Sequence, residues 1–423
     1  MNNVSIIRDR IWILLIAGFS AVLFFYLLNI DYAIIHVISP DSYTYIEASE
    51  LLYNHFLPHP TRPIGYAFLS GLPRIFIPSL SQDQYLYFAV FLNFTAWLGS
   101  LVYVHKTLLL FLNRRAAFLI SLISVFLPGV LASVFFMLTE SVVLFFITWI
   151  TFYLFRYDTD KNINHLIIAV TAINLLVLIR PGFIYPAIVS SALIIFYFFV
   201  KGVGNLSRYI ISFILVSFAL IILQISMMYR TYGEVTSSYI DKFTWYNYLG
   251  ARSYASVNKI SEDSVMYTRM KFCSGLSYPE ISRISTDDFK LQLSGSLQHV
   301  SRGWVMNLLE NSSTGSNLLS DIRKGKSYFS ASIAQILHVV SRYQNLLFTI
   351  VLLISVLGWT IYWFSGHWTL GALILLLLYV FLSSGISFLQ GDRFHSVLYP
   401  SILIVFVKLI YASSIRNKSS ADL

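Results

Sequence analysis

The chain of 423 residues is 57% hydrophobic and 17% aromatic, and only 12% of its residues are charged. A soluble domain carries roughly 25% charged residues, so this composition excludes a wholly soluble protein and indicates that most of the chain lies in lipid. The formal net charge of +9 is interpreted as cations on the cytoplasmic side of a membrane rather than as a nucleic-acid-binding surface. The single cysteine, Cys273, excludes an internal disulfide and a thiolate metal site.

Long apolar runs predict an all-α polytopic membrane protein with about ten transmembrane helices. The runs lie at 11–29, 85–104, 116–136, 138–155, 165–179, 183–200, 209–229, 346–364, 369–389 and 396–412. Arginines precede the first run and no small-residue cleavage site follows it, so we expect a retained span rather than a signal peptide. With a cytoplasmic N-terminus most basic residues between spans fall inside, which favours an N-in, C-in topology.

Two long segments outside the spans are assigned to the outer face. Residues 30–84 form the first outer loop, within which 64–78 is too short to cross and contains prolines, so it is interpreted as interfacial or re-entrant. Residues 230–345 form a polar extracytoplasmic segment. The predicted organisation is a catalytic module at 1–229, this segment, and C-terminal transmembrane helices at 346–423.

Inside the extracytoplasmic segment, apolar residues recur at helical spacing from Phe289 to Leu308. Thr286 is the candidate N-cap of this helix, because acidic residues follow it in the first turn. The apolar face is expected to lie on the bilayer or the span bundle, or to pack inside a small domain.

Ionisable residues gather at the predicted outer ends of the spans, and such groups at membrane depth are costly and by default mark a functional site. The apolar runs 141–155 and 166–179 are shorter than the ~20 residues that a span needs. Glu140 and Arg180 at their outer ends are therefore expected below the headgroups, at the floor of a cavity that opens outward.

The same residues also have structural interpretations. Asp41 follows Pro40 and is placed to cap a helix, and Glu140 is placed to cap a span. Arg62 fits an arginine that binds headgroup phosphates, and Arg180 fits a snorkelling arginine in a turn. The functional interpretations are a general base for Asp41 and a phosphate clamp for Arg62.

The hairpin "LQGDRFHSVLYP" contributes Asp392, Arg393 and His395. Its structural interpretation is a local pairing of Asp392 with Arg393 or with His395. His55 and His59 have the spacing of metal ligands on a helix, but the proline between them disfavours a metal site.

Taken in order, "DSYTYIE" (41–47), "RPIGYAFLSGL" (62–72), "TE" (139–140), "RP" (180–181) and the Arg-His hairpin resemble the GT-C superfamily. The likeness is to its aminoarabinose-transferase and protein O-mannosyltransferase-like branch. It covers 1–230 and 345–412, and the segment between matches no family that we can name.

The resemblance implies an inverting glycosyltransferase that moves a sugar from a polyprenyl phosphate to a hydroxyl of a glycan, lipid or protein outside the cytoplasm. The site residues it implies are Asp41 and Glu140 as catalytic acids and Arg62, Arg180 and Arg393 as phosphate-binding groups. Supporting roles are assigned to Tyr45, Glu47, His59, Asp392 and His395. Ser42 stands where many relatives carry a second acid, so a divalent metal stays open.

Two other functions stay open. An O-antigen ligase or polymerase would use a lipid diphosphate, but the acid-bearing first loop argues against it. A lipid-oligosaccharide flippase would place charges near the midplane and often show paired halves, and no repeat is visible. The expected location is a bacterial inner membrane with a periplasm-facing site. In an endoplasmic reticulum membrane, Asn311 would be a glycan acceptor.

Overall fold

The computed structural model describes residues 3–30, 40–78, 81–201, 208–322, 327–362, 368–388 and 390–421. All regular secondary structure in these ranges is helical. The N-terminal half contains α1 (Asn3–Leu27), α2 (Pro40–His55), α3 (Ile64–Gly71), α4 (Gln82–Leu108), α5 (Arg114–Val125), α6 (Pro128–Val134), α7 (Glu140–Asp160), α8 (Ile163–Val177), α9 (Ile184–Lys201) and α10 (Arg208–Tyr232). The C-terminal half contains α11 (Ile240–Thr244), α12 (Gly250–Asn258), α13 (Glu262–Cys273), α14 (Tyr278–Gly295), α15 (Leu297–Ser313), α16 (Asn317–Ile322), α17 (Tyr328–Tyr362), α18 (Trp368–Ser383), α19 (Arg393–Ser396) and α20 (Tyr399–Ala421). Short 3₁₀ helices occupy Leu72–Ile75, Pro181–Phe183 and Ser384–Ile386, and a π-helical turn occupies Trp245–Leu249.

Six helices within the described ranges are long and apolar enough to cross a membrane, which fits a multi-pass membrane protein. They are Val4–Leu27, Gln82–Leu108, Glu140–Asp160, Ser212–Tyr232, Tyr328–Thr360 and Trp368–Ile386. The number becomes seven if α5 and α6 form one bent span. The predicted number of about ten is not confirmed, because the runs predicted at 165–179, 183–200 and 396–412 correspond to shorter apolar helices.

The apolar run predicted as a span at 116–136 is broken into two helices. Helix α5 ends at Val125, α6 begins at Pro128, and their axes differ by 63°. Proline has no N–H to continue the helix and disfavours helical geometry at the residue before it. Leu127 accordingly adopts φ −84° and ψ 105°.

Two helix starts also differ from the prediction. Helix α17 is 35 residues long and begins at Tyr328, well before the apolar run predicted at 346–364. Thr286 lies inside α14 rather than at a helix start. The observed start uses Ser277, whose N–H donates to Glu280 Oε2 across 2.9 Å, and this reciprocal capping stabilises the first turn.

Helix α7 is the centre of the bundle, packed between α4 and α8 and against α18 and α20. Its first residue is Glu140, so the surrounding helices bury this carboxylate. Large apolar side chains remain exposed on the outer helices, as expected for surfaces that face lipid. Examples are Phe19 on α1, Phe196 on α9 and Ile222 on α10.

The predicted first outer loop folds as two helices, α2 and α3, that pack against each other. Residues 64–78 therefore form a short helix and a 3₁₀ turn rather than a span. Ser42 of α2 donates its hydroxyl to the carbonyl of Met137 across 3.4 Å, which ties this loop to the stretch between α6 and α7. The same end of the bundle receives the 180–183 turn and the 384–396 stretch.

Candidate active site

Five charged side chains from five separate segments form one continuous chain of ion pairs. Asp41 Oδ1 accepts a hydrogen bond from Arg62, and its Oδ2 accepts one from Arg393 Nη1 across 2.7 Å. Glu140 Oε1 accepts from Arg393 Nε across 2.5 Å and from Arg180 Nη2 across 3.2 Å. The structure thus brings together the two predicted acids and the three predicted phosphate-binding arginines.

Asp41 lies in the first turn of α2, because the helix already begins at Pro40. Both of its carboxylate oxygens bind arginines, so the capping interpretation of Asp41 is wrong. Thr44, one turn later, donates its hydroxyl to the carbonyl of Asp41 across 2.7 Å and accepts from Arg62 Nε across 2.7 Å. The first turn of α2 therefore positions both the acid and the arginine that it binds.

His59 organises the loop that carries Arg62. Its Nδ1 accepts the backbone N–H groups of Thr61 and Arg62 across 3.2 and 3.1 Å. The ring proton therefore belongs on Nε2, which lies 3.5 Å from Glu47 Oε2. Burial, with a smaller contribution from Arg62, lowers the pKa of His59 to about 4, so the ring is neutral at neutral pH. His59 and Glu47 thus support the site from outside the ion-pair chain.

The outer segment and the 178–180 turn fix the same loop from two sides. The carbonyl of Pro60 accepts from the backbone N–H of Tyr239 across 2.8 Å. Gly65 donates its N–H to the carbonyl of Leu178 across 2.6 Å. A Cβ at Gly65 would lie 2.5 Å from that carbonyl oxygen, so only glycine permits this approach.

Two of the arginines also lie over aromatic rings. The guanidinium of Arg62 is 4.7 Å from the ring centroid of Tyr45, and that of Arg180 is 4.8 Å from the ring centroid of Phe394. Cation–π contacts hold a guanidinium in place while its N–H groups stay available at the ring edge. Tyr45 was among the predicted supporting residues, whereas Phe394 was not.

Asp392 and His395 lie apart from the ion-pair chain, and the predicted pairing of Asp392 with Arg393 or His395 is wrong. His395 Nε2 lies 2.9 Å from the hydroxyl of Ser384, and its Nδ1 lies 3.0 Å from Asn345 Oδ1. This ring therefore joins α17, the 3₁₀ helix Ser384–Ile386 and the stretch that carries Arg393. Asp392 is buried, and its Oδ2 has no hydrogen-bond partner in the described part of the chain.

The ion-pair chain holds three guanidinium groups and two carboxylates, which leaves one positive charge in excess. Burial acts to raise the pKa of Asp41, but Arg393 and Arg62 outweigh it and hold that pKa well below its usual range. Burial lowers the pKa of Arg180, which Glu140 compensates only in part. Arg180 is thus the least compensated cation of the three, and an anion placed beside it would be stabilised.

Glu140 is the most deeply buried member, with 1% of its surface exposed, whereas the side chain of Asp41 is 32% exposed. Glu140 Oε2 is buried and has no hydrogen-bond partner among the described residues. The two acids therefore differ in access, because a molecule that enters the site reaches Asp41 more easily than Glu140.

The side chains of the candidate site are not arranged to coordinate a divalent cation. In the described ranges no group of three or more His, Cys, Asp or Glu side chains is arranged to hold a metal ion. Both acids of the site are already bound by arginines. Adding a dication would increase a positive charge that is already in excess.

No protein-family model and no curated protein matches the chain. Among solved structures, it is similar to the archaeal oligosaccharyltransferase AglB from Archaeoglobus fulgidus in complex with an inhibitory peptide and a dolichol-phosphate. The identity is 14% and the TM-score 0.44, over 97% of this chain and 50% of that one. The same values hold for the oligosaccharyltransferase tethered to an acceptor peptide containing the NVT sequon. The chain spans about half the length of these structures, and a likeness at this level does not identify a family.

Three residues near the ion-pair chain were not predicted from the sequence. Thr44 lies within the quoted "DSYTYIE" motif, so its position was the available signal. Phe394 follows Arg393 directly, but nothing in its spacing distinguishes it from other aromatic residues. Tyr248 belongs to the outer segment, and no motif marks it.

Proposed function

We propose that the chain is an inverting glycosyltransferase that transfers a sugar from a polyprenyl-phosphate donor to a hydroxyl acceptor at the extracytoplasmic face of the membrane. The observation that supports this proposal is the continuous ion-pair chain, in which three arginines outnumber two acids at one end of a helical bundle. The short motifs shared with the GT-C superfamily support the same function. The proposed acceptor is a glycan, a lipid or a protein.

The proposed donor site consists of Arg180, Arg393 and Arg62. These side chains lie in the stretches that join helices at one end of the apolar bundle, where the phosphate of a membrane-embedded lipid would reach them. A phosphodiester brings one negative charge, which would offset the single excess positive charge of the site. Arg180 is the proposed first contact, because its one ion pair among the described residues is to a Glu140 oxygen that Arg393 also binds.

Asp41 is the proposed general base, and donor binding would activate it. In the free protein both of its oxygens are held by arginines, which keeps its pKa well below the usual range and makes it a weak base. A phosphate that engages Arg62 and Arg393 would weaken those two ion pairs. The pKa of Asp41 would then rise towards its ordinary value, and its basicity would appear only when the donor is present.

The proposed reaction is a direct displacement. The acceptor oxygen forms a bond to the anomeric carbon while the bond from that carbon to the phosphate oxygen breaks. The acceptor proton passes to Asp41, and the electron pair of the broken bond leaves with the polyprenyl phosphate. The departing phosphate gains one negative charge, and arginines fixed beside it stabilise that developing charge. Glu140, buried and bound to Arg393 and Arg180, is the proposed positioning acid for these arginines.

The test uses the full-length protein reconstituted into sealed lipid vesicles, with radiolabelled polyprenyl-phosphate monosaccharides and a mixture of glycan, lipid and peptide acceptors. A parallel reaction supplies the diphosphate-linked donors instead. We expect sugar transfer by the wild type and at least about a 100-fold lower rate for Asp41→Asn. Transfer only from a diphosphate-linked donor would assign the chain to the ligase class instead. Movement of the lipid between leaflets without any transfer would assign it to the flippase class.

A further inference from the structure

Among the described residues, π-helical hydrogen bonding occurs at one stretch, Trp245–Leu249, between α11 and α12 of the outer segment. A π-turn inserts an extra residue into a helix and changes the direction of its side chains, and such turns occur frequently at functional sites. Tyr248 lies on this turn and is half-buried. Tyr248 therefore belongs to a turn of the outer segment in which the π-helical geometry changes the direction of the side chains.

Tyr248 packs against the stretch that carries Arg393. Its ring meets the ring of Phe388 edge-on, with centroids 5.4 Å apart and an interplanar angle of 82°. Phe388 in turn lies 4.3 Å under the guanidinium of Arg252. The π-turn thus packs against the segment between α18 and α19.

Further hydrogen bonds make this packing rigid. Arg252 donates to Glu262 and Glu310 of neighbouring outer helices across 2.8 and 2.9 Å. The side-chain amide of Asn307 donates to the carbonyl of Gly385 across 2.8 Å. Tyr248 is therefore held in a fixed position relative to the stretch that carries Arg393.

The part of the outer segment that carries Tyr248 lies against the stretches that carry the site arginines. Helix α11 packs on the Pro181–Phe183 turn next to Arg180, and Tyr239, just before α11, donates its N–H to Pro60 in the loop that carries Arg62. Burial raises the pKa of Tyr248, Asp41 raises it further, and Arg393 and Arg62 lower it. These are the proposed base and two of the proposed phosphate-binding groups. The hydroxyl nevertheless makes no hydrogen bond to any residue in the described part of the chain. Among the described residues this hydroxyl is therefore available to donate to a bound molecule.

We propose that Tyr248 contacts the transferred sugar, with its hydroxyl hydrogen-bonded to a sugar oxygen, so that the outer segment contributes to donor specificity. This inference rests on the proposed function. In a direct displacement the sugar lies between the acceptor oxygen, which the base holds, and the phosphate, which the cations hold. Tyr248 belongs to the part of the outer segment that packs on the Pro181–Phe183 turn and on Phe388, so its hydroxyl is placed to reach that sugar.

The test separates the sugar from its lipid phosphate. Binding of undecaprenyl phosphate, bare or carrying glucose, mannose or galactose, is measured by native mass spectrometry with full-length wild type and Tyr248→Phe. We expect the variant to bind the bare lipid within about twofold of wild type and to bind the preferred glycosylated lipid about five- to tenfold more weakly, the effect of one hydrogen bond. Tyr267→Phe is the matched control, because the Tyr267 side chain is 69% exposed on α13. It should change neither affinity.

Melting temperatures of Tyr248→Phe and Tyr267→Phe show whether these variants fold. A third variant, Tyr248→Ala, also removes the contact with Phe388 and should lower the affinity for the glycosylated lipid further. An equal loss for bare and glycosylated lipid would overturn the inference, as would no loss for either. A wild type that binds every glycosylated lipid no better than the bare one would also overturn it. If the wild type binds no polyprenyl phosphate of any kind, the proposed function fails as well.

Discussion

Arg393 donates from Nη1 to Oδ2 of Asp41 across 2.7 Å, although the two residues are 352 positions apart in the chain. The start of α2 and the last hairpin therefore meet in one site. This contact joins helix α2 to the start of α19, so the C-terminal hairpin is an integral part of the candidate active site.

Replacing Asp41 by asparagine removes the proposed base but keeps its shape. We expect the transfer rate to fall at least about 100-fold, while undecaprenyl phosphate binds at least as tightly as to wild type. Binding persists because Arg62 and Arg393 lose a competing anion. Transfer assays and native mass spectrometry measure the two quantities. Asp241→Asn is the control, since the Asp241 side chain is 62% exposed on α11, and an active Asp41→Asn protein would remove Asp41 from the mechanism.

Replacing Glu140 by glutamine tests whether this acid positions the arginines or only caps α7. The amide cannot neutralise Arg180 or Arg393, so both guanidinium groups lose their fixed orientation. We expect about a tenfold lower turnover and an unchanged pH profile, because the proposed base, Asp41, is still present. Steady-state kinetics across pH measures both. Wild-type kinetics in Glu140→Gln would leave only the capping role.

Replacing Arg180 by alanine should weaken donor binding with little effect on folding. Arg180 contributes one hydrogen bond of 3.2 Å to Glu140, and Arg393 still satisfies the same oxygen. We expect about tenfold weaker binding of undecaprenyl phosphate and a melting temperature close to that of wild type. Arg302→Ala, an exposed arginine on α15, is the control. Unchanged binding in Arg180→Ala would exclude its contact with phosphate.

Much of the site could be predicted because an apolar chain contains few ionisable residues. Each of them is costly at membrane depth, so its presence needs a structural or functional explanation. Asp41, Arg62, Glu140, Arg180 and Arg393 stand out on that ground alone, and the structure brings all five together. Asp392 and His395 stand out equally in sequence but lie outside the ion-pair chain, because neighbouring residues in a short helix point in different directions. The break at Pro128 was missed because hydropathy alone does not register backbone geometry.

The helix boundaries and the π-turn of the outer segment could not be predicted from the sequence either. Hydropathy rises only at 346–364, so the polar first part of α17, from Tyr328, gave no signal of a continuous helix. Tyr248 depends on a π-turn, which no residue pattern in its neighbourhood predicts. Such features arise from packing between distant segments rather than from local preference.

Replacing Gly65 by alanine should separate the loop that carries Arg62 from the turn that carries Arg180. The new Cβ would lie 2.5 Å from the carbonyl oxygen of Leu178, so the backbone must move. We expect a lower melting temperature and at least about a tenfold loss of transfer, because small displacements of positioned groups are costly. Gly182→Ala is the matched control in the same turn, where a Cβ meets no atom within 4 Å. Equal behaviour of the two variants would contradict the role of this close approach.

Replacing Asp392 by asparagine should change how stability depends on pH. Burial raises the pKa of Asp392 to about 7, and its Oδ2 has no hydrogen-bond partner among the described residues. A carboxyl with a raised folded-state pKa stabilises the protonated fold fully below its unfolded pKa of about 4, and that stability is lost as pH rises through about 7. We therefore expect the melting temperature of wild type to fall between about pH 5 and pH 8 by several degrees more than that of Asp392→Asn. Parallel melting curves would show that the Asp392 carboxyl does not have a raised pKa in the folded protein.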